Sequence, residues 1–273
     1  MRAKTNSTAK NKPIGIFDSG FGGLTVMSAV NKVLPGENLI YFGDTAHVPY
    51  GSKSKNTVIK FSKDIAAFLT KSNIKMLVIA CNTASAFALP VLKKQMTIPV
   101  VGVIEPGAKA AVTATKNKKI GIIGTEGTVG SNSYYKAVKK ISKATVFQQA
   151  CPLFVPLVEE GLNKGAITDE IVKLYVKPLT AKKIDTLILG CTHYPLLKNT
   201  LKKIAGKNIR LIDSANATAS SVKKILEENA MTSGKNSGGK LLFYASDNPE
   251  KFQKIGSRFF TNKIKNVKKV YLE

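Results

Sequence analysis

Two apolar runs that each end in a cysteine set the tightest limits on how this chain can fold. Leu77-Val-Ile-Ala-Cys-Asn-Thr-Ala-Ser85 and Leu187-Ile-Leu-Gly-Cys-Thr-His-Tyr-Pro195 both read as a buried strand followed at once by cysteine, a small polar residue and a helix-like segment. The cysteines, Cys81 and Cys191, lie 110 residues apart. A second pair of landmarks, Ile14-Gly-Ile-Phe-Asp-Ser-Gly20 and Ile120-Gly-Ile-Ile-Gly-Thr-Glu126, repeats at 106 residues. Two strand-and-turn landmarks at nearly one offset predict two similar α/β halves. In open α/β sheets, ligands and reactive groups gather at the carboxyl ends of strands. If the halves face each other, the two cysteines approach one cleft from opposite sides.

Between these landmarks, strands alternate with helices of ordinary length, which implies parallel sheets covered on both faces. Leu24, Met27, Val30 and Leu34 form a helical stripe ended by Pro35-Gly36, and Val58, Phe61, Ile65 and Phe68 form another. Residues 83–96 read as a helix bent or interrupted by Pro90. Glu105-Pro-Gly107 and Asp213-Ser-Ala215 read as the points where the chain passes between halves. The last strand–helix–strand, 240–272, is too short to stand alone and is expected to rejoin the first half. The expected organisation is a disordered basic tail at 1–12, a discontinuous first domain at 13–105 plus 215–273, and a second domain at 106–214. The fold class is α/β, with two similar open parallel sheets, helices on both faces and the active site in the cleft between them.

Composition narrows the function. No apolar run reaches the ~18–20 residues of a membrane span, and the first twelve residues carry no apolar stretch of the kind a secretory signal needs. The expected location is the cytoplasm. Three cysteines without a C-x-x-C point to reduced thiols, and two histidines with three scattered cysteines give no structural zinc spacing, so no metal is expected. The formal charge of +25 raises nucleic-acid binding as a reading. Against it, arginine occurs only at positions 2, 210 and 258, and the lysines are spread along most helices, as on a solvated basic surface. The weight falls on that surface, whose positive field also draws small anions to a cleft.

Gly234-Lys-Asn-Ser-Gly-Gly-Lys240 has the spacing of a phosphate loop, but Leu241 stands where Ser or Thr is needed and a strand follows instead of a helix. The glycines at 15, 20, 22 and 23 do not match a dinucleotide fingerprint. What remains is the pair of thiols. A lone strand-end cysteine is more often a small buried hydrophobe than a nucleophile. Two at corresponding sites of a repeat suit a reaction that takes a proton from one face of a carbon and returns one to the other, because a thiol serves as acid and its thiolate as base. Asp18 fits equally as a helix cap, His193 as a packed histidine and Tyr50 as a residue that packs its loop. Cys151, which has no counterpart in the repeat, reads as structural.

Taken together, Ile14–Val26, Tyr41-Phe-Gly-Asp-Thr-Ala-His-Val-Pro-Tyr-Gly51, Ala80–Ala84, Gly102–Gly107, Ala150–Gly161 and Leu189-Gly-Cys-Thr-His-Tyr-Pro-Leu-Leu197 resemble bacterial glutamate racemases, of the two-cysteine aspartate/glutamate racemase family. The resemblance runs in order from about Ile14 onward. It implies interconversion of L- and D-glutamate without a cofactor, supplying D-glutamate for peptidoglycan, by a protein that is commonly a homodimer. It makes Cys81 and Cys191 the two acid/base residues. Asp18 and His193 would assist them, and one of Glu159 and Glu160, with Glu159 preferred, would stand behind His193. Asp18, Ser19, Tyr50, Gly51, Asn82, Thr83, Thr192 and His193 would bind the substrate. A related racemase acting on aspartate, a pyridoxal-phosphate racemase and a nucleic-acid-associated protein remain as alternatives.

Overall fold

The apolar runs fold into two parallel sheets in this computed structural model, which describes residues 10–272; the first nine residues of the expected basic tail lie outside the described residues. The first sheet contains β1 (Ile14–Asp18), β2 (Leu39–Gly43), β3 (Met76–Ile79), β4 (Val100–Gly102), β9 (Leu241–Ala245) and β10 (Lys268–Lys269), in the order β10-β9-β2-β1-β3-β4. The second contains β5 (Lys119–Gly124), β6 (Thr145–Ala150), β7 (Thr186–Gly190) and β8 (Arg210–Asp213), in the order β6-β5-β7-β8. The runs β2-β1-β3-β4 and β6-β5-β7-β8 have the same topology, so the repeat read in the sequence is a repeat of the fold. β1 and β5 are equivalent, and so are β3 and β7, the strands that deliver the two cysteines.

Strand alternation explains why helices cover both faces. On β1, Ile14 and Ile16 face one apolar cluster with Tyr41, Met76 and Val78, whereas Phe17 faces another with Phe42, Leu77 and Ile79. Burying each such side chain contributes about 1.5–3 kcal/mol. The first cluster continues without a break into Leu187, Leu189 and Tyr194 of the second half, so the halves share a core on the side that carries the site. The chain leaves the first sheet through helix Ile104–Ala114 and returns through helix Ser214–Glu228, which packs on helix Leu24–Val33.

Two details sharpen the sequence reading. The helix expected over 83–96 is two helices, Asn82–Phe87 and Leu89–Gln95, that meet at Ala88. Pro90 has no backbone N–H to bond back into the first helix, and it takes the first turn of the second, where none is needed. Glu105-Pro-Gly107 is helical, the opening turn of Ile104–Ala114, with Pro106 again where a missing donor costs nothing. No helix among the described residues is long and apolar enough to cross a membrane.

Candidate active site

In register, Phe17 lies opposite Ile79 and Gly124 opposite Gly190, so the residues that follow these strands emerge side by side at the carboxyl edges. Ser19 and Cys81 come from the first sheet in this way, and Thr125 and Cys191 from the second. All four line one cavity. The loop after β2 supplies Tyr50 and Gly51, the turn after Cys81 supplies Asn82 and Thr83, and the turn after Cys191 supplies Thr192 and His193. Asp18 and Glu159 stand behind this wall.

Cys81 is buried and occupies the N-cap of helix Asn82–Phe87. Its sulfur accepts the Ala84 N–H at 3.4 Å and its thiol points to Ser19 Oγ at 3.7 Å. Burial, then the Asp18 carboxylate, pushes this thiol up to about 12, so it rests protonated. Cys191 has a different neighbour, His193 Nδ1 at 3.9 Å, and His193 Nε2 meets Glu159 Oε1 at 3.1 Å. Burial alone would lower the His193 pKa. The interactions with Cys191 and Glu159 outweigh it and hold the imidazole at about 10, as the imidazolium. One sulfur therefore rests as an acid, and the other lies beside a cation.

Asp18 is fully buried; it accepts the Gly20 N–H at 3.0 Å and the Thr192 hydroxyl at 3.3 Å. Burial raises its pKa against the opposing pull of His193 and these hydrogen bonds. Because Thr192 belongs to the second half, this carboxylate ties the halves together below the cavity. The Tyr50 hydroxyl is turned away, donating to the buried Asp44 at 2.5 Å, so Tyr50 offers the cavity its ring and backbone. Glu160 has no hydrogen bond to His193; Glu159 holds that place. Cys151 is fully buried with its thiol toward Gln149 O at 3.6 Å, outside the wall.

Sequence reasoning missed Thr125, Val48, Pro49 and Val155 in the wall. The one chemical signal was at Thr125, which directly follows β5 as Ser19 directly follows β1; its hydroxyl meets that of Thr83 at 2.9 Å across the cleft. The cavity holds about 20 Å³, room for a water molecule and not for an amino acid, so its walls must part to admit a substrate. Larger hollows lie elsewhere. One between helices Leu24–Val33 and Ser214–Glu228, about 410 Å³, has no cysteine, histidine or carboxylate in its wall. Among the described residues no three His, Cys, Asp or Glu side chains group so as to hold a metal ion.

Two predictions arise from this packing. A Cβ on Gly22 would stand 2.8 Å from His193 Nδ1 and 2.8 Å from Thr192 Cβ. Gly22→Ala is expected to cost ~1–3 kcal/mol of stability by overpacking and to lower turnover about tenfold or more by displacing His193. Stability by chemical denaturation and turnover on one preparation check both. The second concerns pH. His193 is raised from 6.5 to about 10 in the fold, so its contribution is complete below about pH 6.5 and is lost as pH rises through about 10. Cys81, raised from 9.0 to about 12, adds a loss of the same sign above pH 9. Denaturation midpoints should fall from pH 6 to pH 10. In Glu159→Gln the part of the fall due to His193 should be smaller and end at lower pH, whereas Glu160→Gln should follow the parent.

Residues 14–222 match the Asp/Glu/Hydantoin racemase family. The chain is 48% identical over 263 residues to a glutamate racemase of Geobacter metallireducens, covering 96% of this chain and 97% of the relative. Among solved structures it is similar to a glutamate racemase of Bacillus anthracis, with a TM-score of 0.93 and 41% identity over 96% of this chain and 98% of that one. It is also similar to a glutamate racemase of Francisella tularensis in complex with D-glutamate, with a TM-score of 0.90 and 37% identity over 97% and 99%.

Proposed function

The chain belongs to the Asp/Glu/Hydantoin racemase family, and from that premise we propose that it interconverts L- and D-glutamate by proton transfer between two thiols. It is an amino-acid racemase, an isomerase. The near-complete match to glutamate racemases supports glutamate as the substrate, and D-glutamate so made serves peptidoglycan synthesis. The observation that carries the mechanism is the placement of Cys81 and Cys191, at the ends of equivalent strands of two sheets, in the wall of one cavity.

In one direction the Cys191 thiolate takes the α-proton: the C–H bond breaks and an S–H bond forms. Cys81 gives its own proton to the opposite face, and its S–H bond breaks as the new C–H bond forms. The reverse direction exchanges the two roles. Charge that grows on the α-carboxylate is met by the Asn82 amide and the Thr83 and Thr192 hydroxyls. Ser19 and the Tyr50-Gly51 backbone reach the remainder of the substrate. Asp18, held partly toward its protonated form, relays a proton beside Cys81 or pairs with the substrate ammonium. Glu159 keeps His193 charged. No cofactor enters these steps.

The same reading carries a homodimer and a cytoplasmic location, the compartment in which free thiols such as Cys81, Cys151 and Cys191 persist. Polarimetry with L-glutamate and L-aspartate, without added cofactor, tests the substrate. Decay of rotation with glutamate is expected; decay with aspartate alone would move the substrate to the shorter acid.

A further inference from the structure

Behind the wall of the cavity, a tyrosine outside every motif singled out in the sequence is bonded to a residue within it. Tyr134, on helix Ser133–Ile141 of the second half, is fully buried, and its hydroxyl donates to Asn82 Oδ1 at 2.8 Å. Asn82 belongs to the first half, 52 residues earlier in the chain. Burial keeps the phenol protonated, so its hydrogen is available to Asn82 Oδ1.

The other end of the same amide is unsatisfied. Asn82 Nδ2 is buried and has no hydrogen-bond partner, although Asn82 lines the cavity between the cysteines. A buried donor without a partner is costly, and its persistence asks for a reason. An asparagine amide can rotate by half a turn and exchange its oxygen for its nitrogen. A hydroxyl that donates to Oδ1 removes that freedom and fixes two N–H donors on the side where the reacting carbon must sit.

We infer that Tyr134 is a positioning residue that locks the Asn82 amide with its nitrogen toward the cavity, so that the donor left unpaired is matched by the carboxylate next to the carbon between Cys81 and Cys191. This rests on the racemase reading. Tyr134 touches no substrate; it works through Asn82. The bond also joins the two halves, so the donor is set only when the halves are together. A substrate carrying an uncharged group in that place, such as the α-amide, loses the match.

Steady-state kinetics with L-glutamate test the inference, with D-glutamate binding followed by calorimetry in the same proteins. Tyr134→Phe should raise KM about tenfold, as expected for loss of a hydrogen bond to a charged group, and should lower kcat as well, because the same amide meets the charge that grows on the α-carboxylate. In an Asn82→Ala background the same substitution should change KM by less than about twofold, because the partner through which it acts is gone. Asn82→Asp, which keeps an oxygen for the Tyr134 hydroxyl but gives up both amide protons, should weaken binding at least as much, and it tests the point even if Tyr134→Phe folds poorly. An unchanged KM in Tyr134→Phe, an undiminished effect in the Asn82→Ala background, or unaltered binding by Asn82→Asp would each overturn the inference while leaving the racemase reading in place. A parent protein that neither binds nor turns over glutamate would sink both.

Discussion

Serine in place of either Cys81 or Cys191 is expected to reduce racemisation by at least about a thousandfold, the upper part of the range for a general acid or base. A thiol ionises near pH ~8.5, while a serine hydroxyl stays protonated throughout the accessible range. The substitution is nearly isosteric, and both sites keep hydrogen-bond partners: the Ala84 N–H and Ser19 Oγ at position 81, His193 Nδ1 at position 191. The fold should therefore survive, and thermal melts beside polarimetry would separate lost chemistry from lost structure. The two variants should also differ in kind. Each keeps one thiol, so each should still exchange the α-proton of one enantiomer with solvent without inverting it, and the enantiomer should switch between variants. Racemisation within tenfold of the parent in either variant would remove that cysteine from the reaction.

The largest expected effect on stability lies at the other end of the strands. Lys75, which precedes β3, is buried, and its ammonium donates to Glu37 Oε2 at 2.5 Å, to Lys10 O at 2.7 Å and to Met231 O at 2.7 Å. Glu37 Oε1 accepts the Ser233 N–H at 2.7 Å. The pair pins the segment before β1 and the loop after helix Ser214–Glu228 to the amino edge of the first sheet. Burial lowers the Lys75 pKa, against the pull of Glu37. Removing one partner strands the other as an uncompensated buried charge, so Lys75→Met or Glu37→Leu should each cost ~3–5 kcal/mol. The double variant should cost well under the sum, because it leaves no charge behind. Urea denaturation measures all three. KM for the folded fraction should be unchanged, since the site is at the carboxyl edges. A single-variant loss below about 1 kcal/mol would show that the pair contributes little.

The parts of this molecule that were legible in its sequence are those fixed by local pattern. An apolar run ending in Cys81 or Cys191 is a buried strand that meets a turn, and the repeat of that pattern fixed the equivalence of β3 and β7 before any pairing was known. Helix breaks were legible only in kind: Pro90 marked an interruption, and whether its missing N–H bends the helix or divides it at Ala88 is decided by the structure. Contacts that close over long separations left no trace. Thr83 with Thr125, Thr192 with Asp18 and Tyr134 with Asn82 are each joined across the cleft by the way two sheets meet. Glu159 and Glu160 are neighbours in sequence, and only the course of helix Phe154–Glu159 turns the first toward His193.

The most direct measurement is to incubate the protein with L-glutamate in heavy water, without added cofactor, and to follow optical rotation together with deuterium at the α-carbon. Rotation should decay to zero, and D-glutamate should carry deuterium from its first appearance, because the thiol that supplies the new proton exchanges with solvent. Decay of rotation with the original hydrogen retained in the product would contradict proton transfer between two separate thiols, and no decay at all would contradict the racemase account itself.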